Sequence, residues 1–411
     1  MSSPPPFDYP APLIWLHSDD PFRPADLLEH IRHTTPTVNQ EPLPDVPELN
    51  LDNLAILNDV PGTHGGQDVA LTSNDDVSTL PTWLLGETPD ASGRTVNATP
   101  CVVILIEKGP GIVDAFYFYF YSYDRGANIT QVLEPLKWLI EDDGNGMHFG
   151  DHVGDWEHNM VRFRDGEPAG IYYSQHRDGA AYEWDDDGLL LRDGRPVVYS
   201  AYGSHANYAS LGDHIHDEVL IDYCDAGPLW DPVLSAYFYH LDPSSFTLTR
   251  LTTSESSPSN NNNSSPADDD LTSFFYYNGL WGDAKYPDSH PLQETVPYFG
   301  LKRFVSGPKG PAVKQLLRKG LAPDHRRKKS WVEWAVGVLM SWYPCCLRGW
   351  RVWVSLGVLL AVLVLVVVGI VRGVRRFRGP RKGGEYKLVA GDIPLEEMES
   401  VSERSHGEVQ R

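Results

Sequence analysis

Cysteine is scarce in this chain, with four in 411 residues, and only Cys101 and Cys224 lie in its body. That allows one internal disulfide at most, and spacing alone does not say whether the two thiols meet. Cys345 and Cys346 adjoin an apolar stretch, where palmitoylation is one reading and spare thiols the other. Basic residues are scarce in one part only. Residues 1–301 carry 13 Lys and Arg against 47 Asp and Glu, whereas residues 302–411 carry 21 against 9. The resulting nets of −34 and +12 sum to the −22 of the whole chain. A body this acidic repels a phosphate backbone, which excludes nucleic acid as a partner. The start, MSSPPPFDYP, lacks the basic residues and apolar run of a signal peptide. The nucleophile motif G-x-S-x-G is missing too.

What is present is enough to fold. A 41% hydrophobic content over this length supplies the core of one large domain or two ordinary ones. Residues 1–50 read as a Pro-punctuated, extended N-terminal arm. From Cys101 the pattern is β. CVVILIEKG is bounded by Pro100 and Gly109, and DAFYFYFYSYD alternates Phe116, Phe118 and Phe120 with Tyr117, Tyr119 and Tyr121. That two-tone run predicts Phe toward the core and Tyr toward a second, wetter face. Residues 51–311 are expected to form an acidic, mainly β domain, a two-sheet β-sandwich, with a disordered low-complexity insertion at 254–270.

The stretch HFGDHVGDWEHNMVRFR, residues 148–164, concentrates the chemistry. If it is extended, alternation puts Asp155, Glu157, Asn159, Val161 and Phe163 on one face and Trp156, His158, Met160 and Arg162 on the other. Two carboxylates then stand roughly 7 Å apart at Cα on one face and repel unless a proton or a cation joins them. His152 is expected on the turn entering the strand, with Gly150 and Gly154 making that turn tight. One nitrogen and two oxygens from H-x-x-D-x-E suit a divalent cation, Ca or Mg (or Mn) before Zn. The bland alternative is a structural ion-pair network. YSQH and YGSH place His176 and His205 at similar strand exits, so three histidine-bearing turns either converge on one site at the end of a sandwich or are separately solvated.

Residues 302–329 carry ten basic residues and one acid, the composition of a basic juxtamembrane arm. Residues 312–351 are therefore expected to combine that arm with an interfacial helix anchored by tryptophans. Residues 352–371 are uncharged and long enough to span a bilayer. RGVRRFRGPRK follows the span with six basic residues, which puts residues 372–411 in the cytosol. Sequons at Asn97, Asn128, Asn262 and Asn263 agree with a lumenal domain. A late span without a signal peptide opposes it, so either translation begins upstream of Met1 or the domain is cytosolic.

The strings YPAPLIWLHSDDPFRP, FGDHVGDWEHNMVRF, YYSQHRDGAAYEW, RPVVYSAYGSHANYAS, LIDYCDAGPLWDP, LWGDAKYP and GPKGP together resemble the fungal vacuolar protein sorting-associated protein sixty-two family over about residues 9–311. The resemblance implies a role in delivering proteins to the vacuole, as a single-pass protein of an endomembrane. A second resemblance is to the necrosis-inducing, cytolysin-like β-sandwich proteins, carried by Gly150, His152, Asp155, Trp156 and Glu157. It implies a divalent cation held by the matching His, Asp and Glu with an upstream Asp, here Asp142 or Asp143, at a site that engages membrane glycolipid. The chain departs from that motif at Asp151 and at Gly154, which replaces a histidine.

The expected site is thus His152, Asp155, Glu157 and Asp143 around a cation, with His158, His176 and His205 as binding residues. Two functions compete. One is a membrane-anchored binding module recognising a glycan, glycolipid or cargo protein. The other is a metal-dependent hydrolase of a glycan, ester or phosphate, in which a histidine acts as base. The small ligand set favours binding, and a membrane-permeabilising toxin sits badly with a chain that carries its own span.

Overall fold

The computed structural model describes residues 10–128, 148–176, 178–216, 220–251, 270–295, 301–324 and 350–378, together with residues 331, 334 and 338. The expected metal residue Asp143, the insertion at 254–270 but for its last residue, most of the interfacial helix and the tail beyond 378 lie outside them. The chain divides into two units, 1–352 and 353–411.

The first unit is mainly β and is built on a seven-stranded sheet. Its order is Asp178–Glu183, Glu167–Gln175, His152–Arg164, Ile112–Asp124, Cys101–Gly109, Ala236–Asp242 and Thr247–Arg250. The central pair is the aromatic strand Ile112–Asp124 and the acidic strand His152–Arg164. They run antiparallel in one register from Ile112↔Arg164 to Asp124↔His152. Neighbouring strands are antiparallel except Cys101–Gly109 and Ala236–Asp242, which run parallel.

Strand alternation sorts the side chains as the pattern predicts. Phe116, Phe118, Phe120, Trp156 and Met160 share one cluster with Leu27, Ile31, Phe274, Phe275, Trp281 and Leu316. Tyr117, Tyr119, Tyr121, Val161, Phe163 and Tyr173 share another with Ile14, Val198 and Trp230. Each fully buried Phe contributes ~1.5–3 kcal/mol relative to exposure. The tyrosine face is not wet. A second sheet, ordered Leu191–Arg192, Arg195–Ser200, Leu13–Trp15 and Leu229–Trp230 with Asn207–Tyr208 at its side, covers it. Tyr117, Tyr119 and Tyr121 are all buried, and Tyr119 Oη donates to Asn159 Oδ1 at 3.0 Å. The Tyr121 hydroxyl likewise meets Ser200, so burial of these phenols is offset by hydrogen bonds.

The N-terminal stretch wraps the domain and contributes to it. Leu13–Trp15 lies inside the second sheet, parallel to Arg195–Ser200. Leu27–Arg32 forms a helix capped by the Asp26 side chain, which accepts from the Glu29 amide; its Leu27 and Ile31 enter the phenylalanine core. At the other end of the unit, Leu316 and Arg318 are buried, and Lys302 and Arg303 pair with Asp288 and Glu294. Three of the ten basic residues of 302–329, Lys302, Arg303 and Arg318, are therefore spent on the domain's own acids and core. Cys101 and Cys224 are both buried and free, so no disulfide joins them.

The helix Arg351–Arg378, which falls mostly in the second unit, is long and apolar enough over Arg351–Arg376 to cross a membrane.

Candidate metal centre

At one end of the sandwich, three polar loops at 17–20, 124–126 and 201–205 and the end of the strand Leu220–Cys224 meet the start of the acidic strand, tied together by backbone hydrogen bonds. The Arg125 amide donates to Gly203 at 3.0 Å and the Tyr202 amide to Tyr223 at 2.9 Å. The Gly203 amide donates to Asp20 Oδ2 at 2.8 Å. Gly154, inside the acidic strand, has φ +70°, and a Cβ there would clash with the Trp281 carbonyl. Only glycine allows the strand to approach that loop so closely.

The acidic strand presents Asp155 and Glu157 to this end, on the tyrosine face. Register brings Asp124 opposite His152 and Tyr121 opposite Asp155. From the loop after Arg195–Ser200, His205 reaches in with a left-handed backbone, φ +53°. Its ring lies 3.7 Å from that of Tyr121 and nearly parallel to it, at 2°. His205 Nδ1 is 3.0 Å from Asp155 Oδ2. Its Nε2 is buried, makes no hydrogen bond, and stands 3.5 Å from Asp20 Oδ2. Donor atoms of Asp124, Asp155 and His205 all lie within 4.8 Å of one another.

Around this trio the acids are dense and buried. Asp20, Asp124, Asp151, Asp155, Glu157 and Asp222 are each at most 7% exposed. Asp151 accepts from Tyr123 Oη at 2.8 Å and the Gly126 amide at 2.9 Å. Glu157 accepts from Ser174 Oγ. Asp222 accepts from Ser204 Oγ at 2.8 Å and Tyr208 Oη at 2.7 Å, and contacts His176 Nε2 at 2.7 Å. His152 begins the strand rather than the turn before it; its Nδ1 lies 2.7 Å from the Gly154 carbonyl and its Nε2 3.7 Å from Asp124 Oδ2.

The electrostatics follow from burying so much negative charge. Desolvation, then the fields of Asp155, Asp151 and Glu157, push the Asp124 carboxyl well above its usual range. Desolvation and Asp155 raise Glu157 to about 7, against the pull of Lys314. Burial also opposes ionisation of Asp155, but the hydrogen bond and charge of His205 outweigh it and hold that carboxyl low. Burial would lower His205; the bond to Asp155 and the charge of Asp20 raise it instead. At Asp124 and Glu157 a proton offsets the buried negative charge.

The expected residues divide accordingly. Asp155, His205 and His152 are brought together. Glu157 and His176 lie beside them, each already engaged with a side-chain partner. His158 points to the opposite face, where its Nε2 meets Arg318 Nη2 at 3.1 Å among Phe116, Phe118 and Tyr172. Asp124, Asp20 and Asp222 are additions. Asp124 had a signal: it ends the Phe/Tyr alternation, and a hairpin pairing of that strand with the next places it beside His152. Asp20 and Asp222 depend on long-range loop packing.

The stretch that supplies Asp155, Glu157, Ser174, His176, Ser204, His205, Tyr208 and Asp222 coincides with a family model. Residues 144–222 match that of Vacuolar protein sorting-associated protein 62. The protein of that name from Saccharomyces cerevisiae is 32% identical over 348 residues, covering 79% of this chain and 68% of the yeast protein. The chain belongs to this family. A second yeast relative, Putative vacuolar protein sorting-associated protein TDA6, is 32% identical over 350 residues, covering 78% and 68% of the two chains. No solved structure matches.

Proposed function

We propose that this is a membrane-anchored protein of vacuolar protein sorting whose β domain binds its partner with the help of a resident divalent cation. The observation that carries the reading is the meeting of buried Asp124, Asp155 and His205, whose donor atoms lie within 4.8 Å of one another, with the Nε2 of His205 left without a hydrogen bond 3.5 Å from Asp20. A histidine nitrogen left empty in a carboxylate cluster costs free energy unless something positive fills the space. An ion there braces the loops at 17–20, 124–126 and 201–205 to the end of the large sheet. The outward sides of those loops are the surface offered to a glycan, glycolipid or cargo protein.

Binding is favoured over hydrolysis by the order of the polar contacts. Ser204 and His176 both address the Asp222 carboxylate, and Ser174 donates to Glu157. Each of these hydroxyls is thus paired with a carboxylate and not with a histidine, which is not the Ser–His arrangement of a serine nucleophile. The membrane side of the reading rests on the Arg351–Arg376 helix. Arg372, Arg375 and Arg376 at its end favour a cytosolic tail and a lumenal domain.

The test is metal content of the full chain purified in detergent, by mass spectrometry, for the native sequence and for Asp124→Asn with Asp155→Asn. About one ion per chain, lost in the double variant, is expected; no ion in either sinks the reading. Turnover of glycoside, ester or phosphate substrates by the loaded protein would replace binding with hydrolysis.

A further inference from the structure

The sequon Asn97-Ala98-Thr99 has no part in the proposed cation site. It lies just ahead of the strand Cys101–Gly109. We propose that Asn97 carries an N-linked glycan whose first N-acetylglucosamine sits in a pocket of the fold. This inference rests on the lumenal placement of the domain in the reading above and not on its cation, since such acceptors belong to surface loops of secreted or lumenal domains.

The backbone of the sequon is clamped from several sides. Glu87 accepts from the amides of Val96 and Asn97 at 2.9 Å each, and Asp26 Oδ2 accepts from the Thr99 amide at 2.9 Å. Thr95 Oγ1 donates to the Ala98 carbonyl at 2.9 Å. Under this clamp Ala98 is buried, whereas Asn97 is exposed. The fixed chain therefore turns the acceptor side chain outward while its neighbour anchors the loop. Asn97 Nδ2 donates to Glu87 Oε1 at 3.3 Å. An amide nitrogen has two N–H groups, so it can carry a sugar on one and keep Glu87 on the other.

Beside this side chain the fold leaves a cavity of about 360 Å³, at the small end of ligand sites, which span roughly 300–1,000 Å³. Asn97 and Glu87 line it together with Arg32, Thr82, Trp83 and Ala98. His33 stacks on Trp83 at 5.1 Å, and Trp83 Nε1 donates to Asp75 at 2.8 Å, so the indole is a fixed wall. A pyranose ring has apolar C–H surface and a polar rim. This lining offers an aromatic and an alanine to the first, and a carboxylate, a guanidinium and a hydroxyl to the second. A sugar bonded to a residue of the lining needs little affinity of its own, because the linkage presents it at an effective concentration of roughly millimolar.

The experiment uses the full chain made in a fungal host and mass spectrometry of the peptide containing Asn97, which should carry the glycan. Peptide-N-glycosidase F cuts at the bond to Asn97. It should act at least tenfold more slowly on the native fold than on Trp83→Ala, whereas endoglycosidase H, which cuts one sugar further out, should act equally on both. Should Trp83→Ala fail to fold, His33→Ala, which removes the stacked ring, takes its place. Equal release from native and variant chains overturns the seated sugar. A bare Asn97 in a domain that protease cannot reach in sealed vesicles overturns the glycan and leaves the lumenal reading standing. A bare Asn97 in a domain open to protease overturns both, and metal content remains the separate test of the cation.

Discussion

His158 and His205 are both buried, at 4% and 1% exposure, and each has one ring nitrogen without a hydrogen bond, Nδ1 in His158 and Nε2 in His205. They differ in what surrounds them. His158 stands on the phenylalanine face, where Arg318 donates to its Nε2 and lies over the rings of Phe116 and Tyr172 at 4.9 Å from each centroid. Burial, Arg318 and Lys314 keep this imidazole neutral, well below its usual range. His205 stands on the tyrosine face among carboxylates and is pushed the other way by Asp155 and Asp20. An orphaned nitrogen is therefore not a metal site by itself. The sign of the charge around it decides, and one strand carries both environments because its alternation sends Asp155 and His158 to opposite faces.

The largest effect that sharpens this contrast is expected from Arg318→Ala. It removes two cation–π contacts, leaves His158 Nε2 unpaired, and strips the donors from the carbonyls of Gln315, Lys314 and Leu321. A loss of about 3–4 kcal/mol is expected, read by denaturant unfolding of the full chain in detergent. Metal bound per folded molecule should not change, since the other face is untouched. Parallel loss of metal and stability would mean that the two faces are one site.

On the tyrosine face, Asp124→Asn with Asp155→Asn should abolish the stabilisation that added cation gives the native chain, about 2.7 kcal/mol at a hundredfold excess over Kd. In chelator the difference should shrink, because Asp124 is then held protonated and Asn replaces a neutral carboxyl, leaving the lost Asp155–His205 contact as the main cost. Melting curves with and without chelator check both halves. A deficit in chelator as large as the one seen with cation present would argue that the acids are a structural network.

Acidity gives a smaller signal of definite sign. Glu157 holds its proton in the fold up to about pH 7, against about 4.5 for a glutamate in water. Between those values the unfolded chain releases a proton that the metal-free fold retains, so stability falls as pH rises through that window. His205, also raised in the fold, loses its contribution in the same direction as pH rises. The metal-free protein should melt roughly 3–5 °C lower at pH 7.5 than at pH 5; loading with cation should remove that drop. A metal-free melting temperature that rises with pH would contradict the assignment.

How much of this was legible in the sequence follows from range. Alternation over residues 155–163 and over the Phe/Tyr run is local, and the folded faces repeat it. The apolar helix at 351–376 is equally local. His205 meets Asp155 across fifty positions, and Asp20 reaches Gly203 through the strand Leu13–Trp15 threading into the second sheet. No local period encodes such pairings. Arg318 shows a different failure. Ten basic residues in a row of twenty-eight look like a surface for anionic lipid, yet this one fills an aromatic slot, because guanidinium stacks and desolvates more readily than ammonium.

Lys314 is the residue that touches the comparison from both sides. Its charge lowers Glu157 and Asp155 on one face and His158 on the other. Half-buried near the sheet, it acts through space rather than by contact, so Lys314→Gln should change stability by less than about 1 kcal/mol. It should nonetheless raise the titration points of Glu157 and His158 together, and added salt should shrink both shifts. Carboxyl and imidazole NMR titrations of the metal-free protein measure this. If Glu157 moved alone, the sheet would insulate its two faces, and the neutrality of His158 would belong to burial and Arg318 without help from the acidic end.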